Sequence, residues 1–566
     1  AALVVRALED EEIAFTFGIP GTHNIELYDA LAESTIEPVL VTDEQSASFM
    51  ADAVYRSSGR LACVNVVPGA GLTHALSGIA EAYLDNVAML VLGCGIRRDT
   101  GKAYQLHDVD QLAIAAPVTK GVFRPETGEE IYATIRAACR LARRAPAGPV
   151  FVEIPANLYF FKHDDSAVSP SDDSAPAPFP TGDLDRALEV IERSQRPLLY
   201  LGWGARGAGN ALVDLAERLE APVATTFQGK GVFPESHPLA LWPGLGAAAP
   251  AFVRKVCEGR DAMLAIGCRF GEVATGSYGF TIPGPLVHVD VDSSVLSRNY
   301  PAAVGVAADA AAFVTALLPR LRARSQDSYL RSAIAEGRKA ARSESLEPVG
   351  PGVTPAAFLA ALQSRFGPET IYTTDSGNGT FLAVEQLVLD GPGKLLSPTD
   401  DSCMGYSVPA AIGAKLACKS APVVALAGDG AFLMTGLELL TAAHQRAACL
   451  VAVLRDGELA QIAQFQQTAL SRKTASELPS YDLLALGRAL GVEALPLHNN
   501  AAIPETLEKA AAMLSLGRPV LLDVAIDYGR KTHFTKGVVK TNLLRLPWKD
   551  RIRFVARAIG RKLVPG

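Results

Sequence analysis

Short apolar runs, most of them ending in glycine, aspartate or another polar residue, recur along the whole chain. A longer stretch of helical periodicity follows each one. RLACVNVV, AMLVLGC, PLLYLGW, DAMLAIGC, PLVHVDVD, APVVALAGDG, CLVAVLRD and PVLLDVAID are such runs. A continuous apolar run has no polar face to offer to water, so it reads as a parallel strand covered by helices on both sides. Many such strands alternating with helices call for an α/β architecture. In open parallel sheets ligands gather beyond the carboxyl ends of the strands, which is where these polar termini lie.

Two stretches poor in large apolar side chains break the alternation, residues 163–183 and 341–355. Neither can build a core. The expected fold is therefore α/β with three doubly wound parallel-sheet domains, at residues 1–163, 184–340 and 355–530. Residues 531–566 form a basic tail. From Arg530 onward there are eleven Lys/Arg and one acid, Asp550, in a chain of net charge −7. Ile552, Val555, Ala556, Ile559 and Leu563 share one helical face, and Lys549, Arg553, Arg557 and Arg561 another. Such a helix either docks on the acidic body of its own chain or makes a weak contact with an anionic membrane surface.

Composition narrows the class further. Negative net charge disfavours bulk nucleic-acid binding. The eight cysteines are scattered without a CxxC pair, mostly within apolar runs. They read as reduced, buried thiols of a cytoplasmic protein rather than as disulfides or a zinc site. No apolar run reaches the roughly 18 residues that a membrane span needs, and no signal peptide is recognised.

The strongest chemical signal lies late in the chain. An apolar strand ends at Gly428-Asp429-Gly430, and a second ends at Arg455-Asp456-Gly457. Adjacent parallel strands would place Asp429 and Asp456 side by side. Hard oxygen ligands at a glycine-lined strand–helix turn suit Mg²⁺ holding a phosphate.

This segment resembles the thiamine-diphosphate motif, a GDG followed some two dozen residues later by Asn-Asn, here Arg455-Asp456. The likeness extends along nearly the whole chain. FTFGIPGTHNIELYDAL, VTDEQSASFMADAVYRSSGR and VPGAGLTHALSGIAEAYLDN are similar to the pyrimidine-binding domain of acetolactate-synthase-like enzymes. LLYLGWGARG, AIGCRFGEVATG and LVHVDVDSSVLSRNY are similar to their middle domain. DSGNGTF, DSCMGYSVPAAIGAKLA and the GDG segment are similar to their diphosphate-binding domain.

The resemblance implies thiamine diphosphate and Mg²⁺ as cofactors. It makes Asp429, Asp456 and the carbonyl of Glu458 the metal ligands, with Arg455 offsetting the extra charge of Asp456. Glu44, followed by Gln45, would be the carboxylate paired with N1′ of the cofactor's aminopyrimidine. Met404 would wedge beneath the cofactor, and Ser402 would offer its carbonyl to the 4′-amino group. Asn378, Gly379 and Thr380 match the loop around the diphosphate, where the family reads Gly-Gln-His. Pro20, Gly21, Gly71, Gly428, Gly430 and Ala431 complete the cofactor contacts.

For the reaction, the resemblance implies a carboligase or lyase. It would decarboxylate a 2-oxo acid such as pyruvate and join the remaining fragment to a second carbonyl. Dedicated decarboxylases of the family carry Asp where Thr22 stands, and a His-His pair that this sequence lacks. The family's Phe-Gln becomes Leu106-His107, which makes His107 a candidate proton shuttle because histidine titrates near neutral pH. His23 and His74 fall on loops matched to the cofactor mouth. Gln461, Ile462 and Phe465 stand where the family shapes the pocket for its second substrate, with Met at 461 and Trp at 465 in acetolactate synthases. The smaller aromatic and the amide imply a different acceptor.

FAD is left open. Gly202, Trp203, Gly204, Arg269, Asp290 and Asp292 match the flavin-site layout of the family, whereas Gly271-Glu272-Val273 and Gly244-Leu245-Gly246 depart from it. The resemblance also implies a homodimer or homotetramer with active sites between subunits. Alternatives are a flavin-dependent pyruvate oxidase at a membrane surface and a non-catalytic regulatory paralogue.

Overall fold

A computed structural model describes residues 1–161, 163 and 181–563. Among these residues there are three six-stranded sheets, and every strand pairing is parallel. The first contains β1 (Phe15–Gly18), β2 (Glu37–Leu40), β3 (Cys63–Val66), β4 (Met89–Gly95), β5 (Val122–Phe123) and β6 (Pro149–Pro155), ordered β2-β1-β3-β4-β6-β5. The second contains β7 (Pro197–Leu201), β8 (Val223–Thr225), β9 (Ala240–Pro243), β10 (Ala262–Ile266), β11 (Leu286–Asp290) and β12 (Val304–Ala307), ordered β12-β11-β10-β7-β8-β9. The third contains β13 (Ile371–Thr374), β14 (Leu395–Leu396), β15 (Val423–Gly428), β16 (Leu450–Arg455), β17 (Glu493–Leu497) and β18 (Val520–Ala525), ordered β14-β13-β15-β16-β18-β17. The first and third sheets thus share one winding order, and the middle sheet has the dinucleotide-fold order.

All eight apolar runs named above form strands, namely β3, β4, β7, β10, β11, β15, β16 and β18. Their side chains are buried on both faces, as the absence of alternation requires.

The first and third units share one apolar cluster. Its centre is the helix Glu44–Ser58 packed on the helix Ser407–Ala417. Both are rich in small residues, which lets their backbones approach closely. A Cβ on Gly413 would stand 2.3 Å from the Met50 carbonyl oxygen.

Polar ties cross all the unit boundaries. Arg56 donates to Asp52 at 2.7 Å and to Asp85 at 2.8 Å, and the Tyr406 hydroxyl donates to Asp52 at 2.5 Å. Gln228 of the middle unit also donates to Asp85. Lys230 pairs with Glu235 at 2.7 Å and donates to the Leu387 carbonyl at 2.8 Å, joining the middle and third units.

Most of the first expected break, residues 164–180, lies outside the described residues; the helix Thr181–Arg193 follows it. The second break is shorter than expected, because the helix Ser328–Ser345 continues through ARSES and the next begins at Pro355. Exposed serine and charge are compatible with a helix end that packs on one side only.

The tail forms two helices, His533–Arg545 and Trp548–Leu563. Buried Glu385 accepts the Phe534 N–H at 2.9 Å and so anchors the first of them. The second lies on the helix Ala460–Leu470, with the Ser471 hydroxyl donating to the Ala558 carbonyl at 3.1 Å. The described part of its expected apolar face, Ile552, Val555 and Ala556, is turned outward. Phe554 and Ala558 are partly covered, whereas Trp548, Ile552 and Val555 face outward. The side chains of Ile559 and Leu563 lie outside the described residues. Among the described residues no helix is long and apolar enough to cross a membrane, and all eight cysteines are free.

Candidate active site

The first group of predicted residues sits at the carboxyl ends of β1 to β4. After β1 the chain turns through Pro20, Gly21, Thr22 and His23, and Asn24 closes the turn by accepting the Gly21 N–H at 2.7 Å. After β2, Asp43 caps the next helix by accepting the Gln45 N–H at 3.3 Å, so Glu44 opens that helix. Glu44 is buried and Gln45 half-buried. After β3, Gly71 packs directly against Glu44, since a Cβ there would stand 3.3 Å from Glu44 Oε1. His74 follows one turn on, with Nδ1 3.3 Å from Glu44 Oε2 and its ring largely exposed.

After β4 comes His107, held at a positive φ of 66°. Gln111 fixes this corner: it accepts the Gly69 N–H at 3.1 Å and donates to the Cys94 carbonyl at 3.1 Å. The rings of His107 and His23 stand edge to face with centroids 5.5 Å apart. Burial and the nearby His107 both lower the His23 pKa. A histidine pair thus exists in space although none exists in sequence. Thr22 Oγ1 lies 3.3 Å from His23 Nδ1. Leu106 is exposed on this chain.

The second group sits at the carboxyl ends of β13 to β16. Gly428 ends β15, and Asp429 opens the helix Asp429–Thr435 with Gly430 and buried Ala431 behind it. Asp429 accepts the N–H groups of Gly430 at 2.9 Å, Asp456 at 3.2 Å and Gly457 at 2.8 Å. Nothing stands within 4 Å of where side chains on Gly428 and Gly457 would begin. Burial raises both acids, and with the charge of Asp429 it pushes Asp456 up to about 7.

The charge of Arg455 lowers Asp429, but its guanidinium does not pair with the Asp456 carboxylate. It donates to Asp523 at 2.8 Å and stacks over the Tyr481 ring, because consecutive strand residues point to opposite faces. The Glu458 carboxylate pairs with Lys473, which leaves the Glu458 carbonyl as its candidate donor.

Asn378, Gly379 and Thr380 open the helix Asn378–Gln386, whose first N–H groups lack intrahelical partners. The Thr380 hydroxyl is turned inward, donating to the Asp375 carbonyl at 2.5 Å, so only its backbone faces a ligand. The Ser402 hydroxyl lies 2.8 Å from that of Ser376. A Cβ on Gly430 would stand 3.6 Å from Met404 Cε, which places Met404 beside the GDG turn. Gln461 leans over the Gly377 turn, with Oε1 3.7 Å from where a Cβ would be. Phe465 is half-buried and Ile462 exposed.

Three segments match thiamine pyrophosphate enzyme families: the N-terminal TPP binding domain at residues 1–114, the central domain at 184–317 and the C-terminal TPP binding domain at 375–524. The chain is 30% identical to the probable acetolactate synthase large subunit of Methanocaldococcus jannaschii, over 93% of this chain and 92% of the relative. The chain belongs to the acetolactate-synthase-like family of thiamine-diphosphate-dependent enzymes. It is 28% identical to the isozyme 3 large subunit of acetolactate synthase from Escherichia coli, over 93% of this chain and 94% of that protein. It is 31% identical to a probable 2-ketoarginine decarboxylase of Pseudomonas aeruginosa, over 86% of this chain and 87% of the relative. Synthase and decarboxylase names do not favour the oxidase alternative.

The donor set of this family member fits a divalent cation: a buried carboxylate, Asp429, beside an exposed one, Asp456, with glycines that leave open space. Its middle unit holds a cavity of about 300 Å³ where β7 and β10 diverge, the switch point of the sheet. Trp203, Arg206, Asp290, Asp292 and Asp400 are among its walls. Arg269 is committed across the boundary, donating to Asp400 at 2.6 Å and to the Leu84 carbonyl at 2.5 Å. Gly202 and Gly204 pack against the backbone of Gly267.

Sequence reasoning missed Gln111, which ties two loops, and Glu81. The Glu81 carboxylate accepts the N–H groups of Thr399 at 2.9 Å and Cys403 at 3.3 Å, fixing the loop that carries Ser402 and Met404. Their only sequence signal is a polar residue at an otherwise apolar helical position.

Proposed function

We propose that this enzyme is a Mg²⁺-dependent carboligase or lyase that decarboxylates a 2-oxo acid such as pyruvate and joins the remaining fragment to a second carbonyl. The observation that carries this reading is the Asp429–Asp456 arrangement, where the buried Asp429 carboxylate accepts the backbone N–H of exposed Asp456 at glycine-lined strand ends. When bound, thiamine diphosphate supplies the carbon nucleophile and electron sink for decarboxylation. Asp429, Asp456 and the Glu458 carbonyl hold Mg²⁺. The helix opening at Asn378 and the Gly428 and Gly430 backbone receive the diphosphate. Glu44 exchanges a proton with N1′ of the pyrimidine, Met404 supports the cofactor from beneath, and His107 moves a proton at the reacting carbon. Gln461, Ile462, Phe465 and Leu106 shape the acceptor side. Residues 1–163, 184–340 and 355–530 serve as the pyrimidine, middle and diphosphate domains, with 531–566 as a tail.

Leu433, Met434, Leu437 and Leu440 present exposed apolar side chains beside the GDG turn, and Leu40 adds to them. A second copy of the chain covers this strip, which supports active sites between subunits of a homodimer or homotetramer. The free cysteines support a cytoplasmic, reducing setting. The outward strip of Trp548, Ile552 and Val555 beside Lys549 and Arg553 supports a weak contact with anionic membranes, testable by co-sedimentation with anionic vesicles. FAD has the middle cavity as its candidate site, and flavin absorbance of the purified protein tests it.

A second reading, a simple decarboxylase, draws on the His23–His107 pair and on the decarboxylase relative. NMR analysis of pyruvate turnover with thiamine diphosphate and Mg²⁺, with and without aldehyde and ketone acceptors, separates the two. Coupled products that depend on Glu44 support the carboligase. Acetaldehyde alone, whatever the acceptor, sinks it in favour of the decarboxylase.

A further inference from the structure

Glu438 has no side-chain exposure and no role in the chemistry above. It closes the short turn Gly436–Glu438 that follows the helix opened by Asp429. Its Oε1 accepts both the N–H and the hydroxyl of Thr42, at 2.8 and 2.7 Å, and its Oε2 accepts the Thr441 hydroxyl at 2.7 Å. Thr42 lies two residues before Glu44, in the segment between β2 and the helix Glu44–Ser58. A two-point grip on one residue, by N–H and O–H together, fixes the direction in which the chain leaves that residue.

Adhesion between the two units does not need this contact. The apolar faces of the helices Glu44–Ser58 and Ser407–Ala417 already supply it, with Gly413 against Met50. Burial raises the Glu438 pKa, and the Thr42 and Thr441 bonds oppose that shift. A buried carboxylate is costly, and a purely adhesive site would do as well with apolar side chains. The local consequence of the grip is therefore the orientation of residues 42–44.

We propose that Glu438 is the positioning residue for Glu44, holding Thr42 so that the Glu44 carboxylate is presented in a fixed direction to the cofactor's pyrimidine ring. This rests on the reading of Glu44 as the group that meets that ring.

The test compares full-length wild type with Glu438→Ala, Glu438→Gln and Thr42→Val. The amide in Glu438→Gln keeps an oxygen acceptor for both Thr42 bonds. Two measurements are made: amide hydrogen exchange over residues 40–46 without cofactor, and the exchange rate of the C2 proton of saturating, bound thiamine diphosphate. Glu438→Ala is expected to speed amide exchange over that segment and to slow C2 proton exchange by about 100-fold, the cost of a misplacement near 1 Å. Glu438→Gln restores both readouts. Thr42→Val, at an exposed position, gives a smaller slowing and stands in if Glu438→Ala does not fold. Unchanged C2 proton exchange in folded Glu438→Ala, or a loss that Gln does not rescue, overturns the proposal. Failure of wild type to bind the cofactor overturns the reading of Glu44 instead, and the amide comparison then still decides whether Glu438 holds the segment.

Discussion

The Asp429 carboxylate accepts the backbone N–H of Asp456 at 3.2 Å, so two candidate metal ligands on neighbouring strands are locked together before a cation arrives. One oxygen of Asp429 also takes the Gly457 N–H. The cost of holding two acids this close shows in Asp456, which burial and then the charge of Asp429 push up to about 7, whereas burial is what raises Asp429.

Removing either acid should therefore weaken Mg²⁺ and cofactor binding, but unequally. Asp429→Ala loses a ligand and unstitches β15 from β16, so calorimetry should detect no cofactor binding. Asp456→Asn keeps an oxygen donor and removes the like charge, and it should bind within about tenfold of wild type. A larger loss in Asp456→Asn would mean that the second charge is required.

Glu44→Gln should lower turnover by about 10²–10⁴-fold, the range for a positioned proton-transfer group, with cofactor affinity nearly kept. Steady-state kinetics beside a binding isotherm separates the two effects. Parallel loss of binding would make Glu44 a structural residue.

The anchor of the first tail helix should be sensitive to pH. Burial pushes Glu385 up from 4.5 to about 7 in the folded chain. The folded state therefore favours the protonated acid. Its contribution to stability is fully present below pH 4.5 and is lost as pH rises through 7. Glu385→Gln, which keeps an acceptor for Phe534, should match wild type in melting temperature near pH 4.5. At pH 8 it should be more stable than wild type by on the order of 3 kcal/mol and so melt higher. Equal melting at both values would place the charge in a better-solvated setting.

Leu437→Asp should break the proposed subunit contact. Light scattering is expected to report monomers, and turnover should collapse because each site is divided between chains. Full activity in a monomer would show that one chain completes its own site.

Arg56→Met leaves Asp52 and Asp85 buried without their cation, which costs about 3–5 kcal/mol. A drop of several degrees in the melting temperature is the expected result.

The long strands and the GDG turn were legible because burial on both faces leaves an unbroken apolar run, and a strand-end acid next to glycine has few other uses. The short strands β2, β5, β8, β14 and β17 gave no such run. Arg455 neighbours Asp456 in sequence, but a strand alternates its faces, and the guanidinium reaches Asp523 instead. The tail helix offers two faces in sequence; Phe554 and Ala558 are the side chains partly covered beside the helix Ala460–Leu470, and Ile552 and Val555 stay outside. Periodicity gives the faces of a helix but not which one a neighbour covers. Thr380 was located but its rotamer was not, and its hydroxyl serves Asp375 instead. The His23–His107 pair was invisible because its members are separated by three strands.

Asp85 receives Arg56 from its own unit and Gln228 from the middle one, while Lys230 reaches the Leu387 carbonyl of the third. These ties are buried and cross every boundary. The three sheets are thus riveted to one another at these residues, so that shifting any one of them strains a polar bond at two boundaries.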